Sequence, residues 1–90
     1  MEIDDEKIRR GLTNFLVKQG GTVRIDELHS RSQFKYGAGH QDFSRIMESL
    51  VGEERVAFAE GEFSVTDKGR AWIDELKAAK KAREAAEREG

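Results

Sequence analysis

Apolar side chains recur at Ile8, Leu12, Phe15 and Leu16, a spacing that places them on one side of an α-helix. This predicts a helix over residues 4–18. Asp4 and Asp5 stand at its start, where carboxylates accept from unpaired N–H groups and meet the positive end of the helix dipole. Gly20-Gly21 follows its end and can adopt the left-handed backbone that stops a helix. Gly11 lies inside the helix, at a cost of about 1 kcal/mol relative to alanine, and marks a place where a neighbouring element passes close.

Thr22-Val23-Arg24-Ile25 is a short β-favouring run. A second helix is expected to start at Asp26 as cap and to fade near Gln33 or Phe34. Lys35-Tyr36-Gly37-Ala38-Gly39 then reads as a turn. A third helix runs from His40 or Gln41 to Val51. Phe43, Ile46, Met47, Leu50 and Val51 form its buried stripe, and Gln41, Ser44, Arg45 and Glu48 its opposite side. Gly52 closes it.

From residue 55 the period changes to two. Val56 and Phe58, then Phe63 and Val65, alternate with polar or small residues around Ala59-Glu60-Gly61, which predicts a β-hairpin. Thr66-Asp67 caps a last helix from about Lys68 to Arg88. Trp72, Ile73 and Leu76 anchor its first half, and Ala, Lys, Arg and Glu fill the second, with strong helix propensity but little to bury. The strand at 22–25 is expected to join the hairpin in a three-stranded sheet. Phe15, Phe43, Phe58, Phe63 and Trp72 would share one core, and Gly69 would let the last helix lie close to a neighbour.

Composition narrows the chemistry. The chain has 90 residues, no Cys, no Pro, 16 Lys+Arg and 18 Asp+Glu. That length predicts one small domain. The missing cysteines exclude disulfides, Cys-ligated zinc and thiol catalysis. No apolar run is long enough to span a bilayer and no signal segment opens the chain, so a soluble, cytoplasmic protein is expected. His29 and His40 are eleven positions apart. Two imidazoles make neither a metal site, which takes three or four ligands, nor a catalytic triad. No glycine-rich phosphate loop is present. The expectation is a protein that is not an enzyme and carries no cofactor or metal.

The order helix, strand, helix, turn, helix, hairpin, helix resembles the winged helix-turn-helix domain of bacterial and archaeal transcription regulators. Three stretches carry the likeness: Thr22 to Leu28, Phe43 to Leu50, and Phe63-Ser64-Val65-Thr66-Asp67-Lys68-Gly69-Arg70. The resemblance implies an α+β, mostly helical fold, with a three-helix core, a small antiparallel sheet bearing a hairpin wing, and an extended C-terminal helix. Residues 1–76 would form the domain and 77–90 a helical extension. One departure is the link from Ser32 to Gly39, longer than the usual turn of about 3–4 residues.

On this resemblance the third helix would enter the major groove of double-stranded DNA. Gln41, Ser44 and Arg45 would face bases, with Gln suited to adenine and Arg to guanine. Arg31, Lys35, Tyr36 and His40 would touch phosphates. Charge is divided along the chain. Residues 28–47 carry Arg31, Lys35 and Arg45 against Asp42, a net +2, whereas 48–66 carry Glu48, Glu53, Glu54, Glu60 and Glu62 against Arg55, a net −4. An acidic wing repels phosphate. The competing reading is therefore a protein-interaction module that uses the wing and the Phe34-Lys35-Tyr36 segment, with Phe34 itself more suited to packing that segment onto the core. Trp72, Leu76, Ala79, Arg83 and Ala86 approximate a heptad seam that could pair two copies in a homodimer, with Ile73 beside Trp72 among the expected dimer contacts.

Overall fold

The computed structural model describes residues 4–89, and Arg88 and Glu89 are described by backbone alone. The chain is a small, mostly helical α+β domain, in which four helices and a three-stranded antiparallel sheet are found among the described residues. Helix α1 spans Asp5–Lys18. The Asp4 carboxylate caps it, accepting from the Lys7 amide at 3.2 Å. Ile8, Leu12 and Leu16 are buried along its inner face. Gly20 and Gly21 follow with φ of 92° and 106°, a region open to glycine and strained for other residues.

Strand β1 is Thr22–Arg24 and helix α2 is Ile25–Tyr36. Both ends of α2 differ from the sequence expectation. It begins before Asp26, without a side-chain cap. The Ile25 amide instead donates to the Gly61 carbonyl at 2.9 Å, so a turn distant in sequence satisfies one of the first-turn donors that a helix leaves unpaired. Helix α2 also continues through Phe34, Lys35 and Tyr36, stopping at Gly37 with φ 68°. The link to α3, His40–Gly52, is thus only Gly37-Ala38-Gly39, not the long loop expected from Ser32 onward.

Phe43, Ile46, Met47 and Leu50 of α3 are buried, but Val51 is 39% exposed and lies outside the stripe predicted for it. Strands β2, Val56–Ala59, and β3, Glu62–Val65, form the hairpin. Its two-residue turn has φ 51° at Glu60 and 76° at Gly61, the positive pair that matches strand twist in tight hairpins. The sheet order is β1-β3-β2, with Val23 and Phe58 both opposite Phe63 and Val56 opposite Val65. Opposed residues share a face, so these five apolar side chains point to the same side.

Helix α4 spans Asp67–Glu89. Thr66 caps it, its hydroxyl accepting from the Gly69 amide at 3.1 Å and donating to the Glu54 carbonyl. The core collects α1, α2, α3, the inner sheet face and Ile73 of α4. Truncating a fully buried leucine such as Leu12 in such a core costs about 2–5 kcal/mol. Of the five aromatics expected there, Phe43 and Phe63 are fully enclosed and Phe15 and Trp72 lie at the margin, but Phe58 is 48% exposed. The sheet extends past the helix that covers it.

Candidate interaction surface

The residues expected to meet DNA are spread over α2 and α3, and several of them are engaged by groups of their own chain. Arg31 stacks its guanidinium over the Phe15 ring of α1, 4.8 Å from the centroid. Tyr36 packs against the core, with its phenol against Gly11 of the same helix. That contact explains the glycine inside α1, since any side chain there would meet the phenol. The Lys35 ammonium lies 5.6 Å from the Tyr36 ring. Arg31 and Tyr36 therefore lie on the side of α2 that meets α1, and Lys35 stands exposed beside Tyr36.

His40, Gln41, Ser44 and Arg45 follow on α3. The His40 ring meets the edge of His29, which packs edge-on against Phe43 with centroids 5.0 Å apart. The two imidazoles thus join α2 to α3 as aromatic packing groups. Among the described residues no three His, Cys, Asp or Glu side chains gather as a metal site requires. Gln41 is exposed and Ser44 is half-buried.

Arg45, the base-reading candidate that carries a charge, is held on both flanks by carboxylates. Its Nη2 donates to Asp5 at 2.8 Å, its Nε to the other Asp5 oxygen at 3.3 Å, and its Nη1 to Asp42 at 3.0 Å. The hydrogen bonds that Arg45 donates to Asp5, then the charge of Asp5, then Asp42 raise the guanidinium pKa above the usual arginine range. The cation is locally neutralised, and it faces the first turn of α1.

Beside it the surface is apolar. An open cleft of about 470 Å³ lies between α3 and the hairpin, with Ile25, Met47, Val51, Phe58 and Phe63 in its walls and, among the described residues, Glu48 as its one charged wall residue. Ile25 and Val51 are each 39% exposed and Phe58 is 48% exposed. Phe63 forms the floor, its ring tilted against Phe58 with centroids 4.7 Å apart and edge-on to Phe43. Contiguous exposed apolar groups of this kind mark binding surfaces, whereas single ones do not. The cleft was not anticipated from sequence. Alternation along β2 reports which way Phe58 points, not whether anything covers it.

Phe34 also departs from expectation. It was expected to pack onto the core, yet it is 91% exposed near the end of α2. Its neighbour Tyr36 does the packing instead.

The proposed dimer seam divides. Ile73 is 3% exposed within its own chain. Trp72 is half-buried beneath Arg55, whose guanidinium lies 3.9 Å from the ring centroid, and within 5.8 Å of Arg9. Ile73 thus belongs to the core, whereas Trp72 keeps part of its surface exposed. Leu76, Ala79 and Arg83 line a groove of about 680 Å³ between α4 and the Arg10, Gly11, Asn14 side of α1.

The aromatic ring of Trp72 sits in a polar clamp. Arg9 pairs with Glu53, and Arg55 reaches the same carboxylate at 3.3 Å. The hydrogen bond from Arg9 holds the Glu53 carboxyl below its ordinary range, and Glu53 in turn raises Arg9. This clamp joins α1, the end of α3, the start of the hairpin and α4, and serves structure.

No family model, curated protein or solved structure compared with the chain matches it. Among the described residues no helix is long and apolar enough to cross a membrane.

Proposed function

We propose that the chain is a protein-interaction module of winged-helix layout, which docks an apolar segment of a protein partner in the cleft between α3 and the wing hairpin. The cleft itself carries this reading. On the resemblance to winged-helix domains, the face bearing α3 and the wing would meet DNA, and a phosphate-binding face needs cations that displace counterions. Here that face holds Ile25, Val51 and Phe58 around a carboxylate, Glu48, with Glu60 at the hairpin turn. Apolar pockets with few placed polar groups suit side chains of protein partners.

A selection of random peptides on the immobilised chain tests this. Enriched peptides are expected to carry a large apolar residue beside Lys or Arg and to lose binding to Val51→Asp and Phe58→Ser. Peptides that bind these variants as well as the wild type would overturn the reading.

A second reading, a DNA-binding transcription regulator, is favoured by one observation. The link between α2 and α3 is three residues, Gly37 to Gly39, the length of a helix-turn-helix turn, and Lys35, His40 and Gln41 are exposed around it. Titration of mixed duplex DNA at several salt concentrations separates the two. The DNA reading requires a log–log salt slope of several units and loss on Arg45→Ala. The protein reading expects weak binding that ignores Arg45.

A further inference from the structure

We infer that the segment seated in the α3–hairpin cleft is the end of α2 from a second copy of this chain, with Phe34 as its anchor. The inference rests on the cleft being a protein-docking site, and it names the partner. Two features complement each other. Phe34 is a phenyl ring left 91% exposed, near a helix end capped by the left-handed Gly37. The cleft is a concave surface floored by Phe63, walled by Phe58, Val51, Ile25 and Met47, and of a size that accepts an aromatic side chain. Aromatic anchors that fill such pockets dominate binding at interfaces, and a ring on a preformed helix loses little freedom on docking.

Charge has the matching sense. Lys35 follows Phe34 directly, and Glu48 is a charged residue in the wall of the cleft. Among the described residues no ion pair holds either side chain, in contrast to Arg9, Arg24, Arg45 and Arg55, which all pair within their own chain. When Phe34 enters the cleft, the adjacent ammonium is brought toward the carboxylate of the other copy. Such a pair at the margin of an apolar contact sets orientation and partner choice more than affinity. Knob and hole are different surfaces, so the contact is satisfied either twice around a two-fold axis or head to tail along an array.

Sedimentation equilibrium of the whole chain, from low to high micromolar concentration, tests the inference. The wild type is expected to associate reversibly. Phe34→Ser should weaken association by at least about tenfold, the equivalent of about 1.4 kcal/mol, with an unchanged thermal midpoint at concentrations dilute enough for the wild type to be monomeric, because the ring touches little of its own chain. Val51→Asp should weaken it similarly. Lys35→Glu should weaken it less, and Lys35→Glu combined with Glu48→Lys should restore it. A wild type that stays monomeric throughout overturns the inference. So does association that survives Phe34→Ser, including association lost only when residues 77–90 are removed, which would place the contact on α4. Each of these failures leaves the peptide selection to decide separately whether the cleft docks protein at all.

Discussion

The α-carbon of Gly69 rests against the carbonyl oxygen of Arg55, in space that a side chain would need. That oxygen is held in place because it accepts from the Thr66 amide at 3.1 Å, so the first turn of α4 is pressed onto the strand entering the hairpin. Alanine at position 69 would gain about 1 kcal/mol of helix propensity and meet an immovable backbone atom. Gly69→Ala is therefore expected to destabilise the chain by about 1–3 kcal/mol, the usual range for overpacking. Gly11→Ala makes the control. The atom it meets is the phenol of Tyr36, the far end of a side chain that can swing, so its stability should stay within about 1 kcal/mol of wild type. Urea midpoints of the two variants check the contrast.

The clamp around Trp72 has a pH signature. Glu53 has a folded-state pKa below its ordinary value of 4.5, chiefly through the hydrogen bond from Arg9. Between the two values the unfolded chain binds more protons than the folded chain, so this contribution is complete above the ordinary value and is lost as pH falls through the folded one. Wild type should exceed Glu53→Gln in stability at neutral pH, and the gap should close on acidification below the ordinary glutamate range. Urea unfolding of both proteins over that range measures it. A gap that stays constant would mean that the carboxyl titrates alike in both states.

Much of the fold was legible because its signals are local. The stripe of α1, the alternation of the hairpin and the threonine cap of α4 each lie within a few residues, and each element formed where expected. The failures were set by distant partners. Helix α2 starts early where Gly61 supplies an acceptor to Ile25, and it runs on to Tyr36, whose phenol packs on Gly11 before the left-handed Gly37 stops the helix. No periodicity within 25–36 could report either. The same holds for the surface. Arg45 reads as a free cation in sequence, and Asp5, forty positions earlier, neutralises it in the fold. Phe34 and Tyr36 are two positions apart, and only the geometry against α1 decides which of them is left outside.

Phe58 and Phe63 face each other across the hairpin, yet their substitution should have very different consequences. Phe63 is 6% exposed and packs on both Phe58 and Phe43, so Phe63→Ala should cost about 3–5 kcal/mol. Phe58 is half exposed. Complete burial of such a side chain contributes about 1.5–3 kcal/mol, which puts Phe58→Ser near about 1–1.5 kcal/mol. Thermal and urea unfolding should separate the pair clearly. A Phe58→Ser protein as unstable as Phe63→Ala would mean that the cleft is filled in solution by the chain's own residues, and it would remove the docking surface.

Helix α4 continues beyond Leu76 with side chains that remain exposed through Glu87. Its packing ends with Ile73, Trp72 and the half-buried Leu76, so the later turns depend on intrinsic propensity, which isolated helices of this length hold only marginally. A chain ending at Leu76 should keep its unfolding midpoint, with a free-energy change within about 0.5 kcal/mol, as for surface changes that remove no buried contact. Its helical circular-dichroism signal should fall, and the loss should be the part that melts first and least cooperatively in the full chain. If the shortened chain instead loses several kcal/mol at every concentration, the groove between α4 and Arg10, Gly11 and Asn14 must close in solution and bury what now stands open. If the loss appears only at concentrations where the full chain associates, the turns beyond Leu76, with Ala79 and Arg83, form the interface between copies, and the anchor role of Phe34 falls with it.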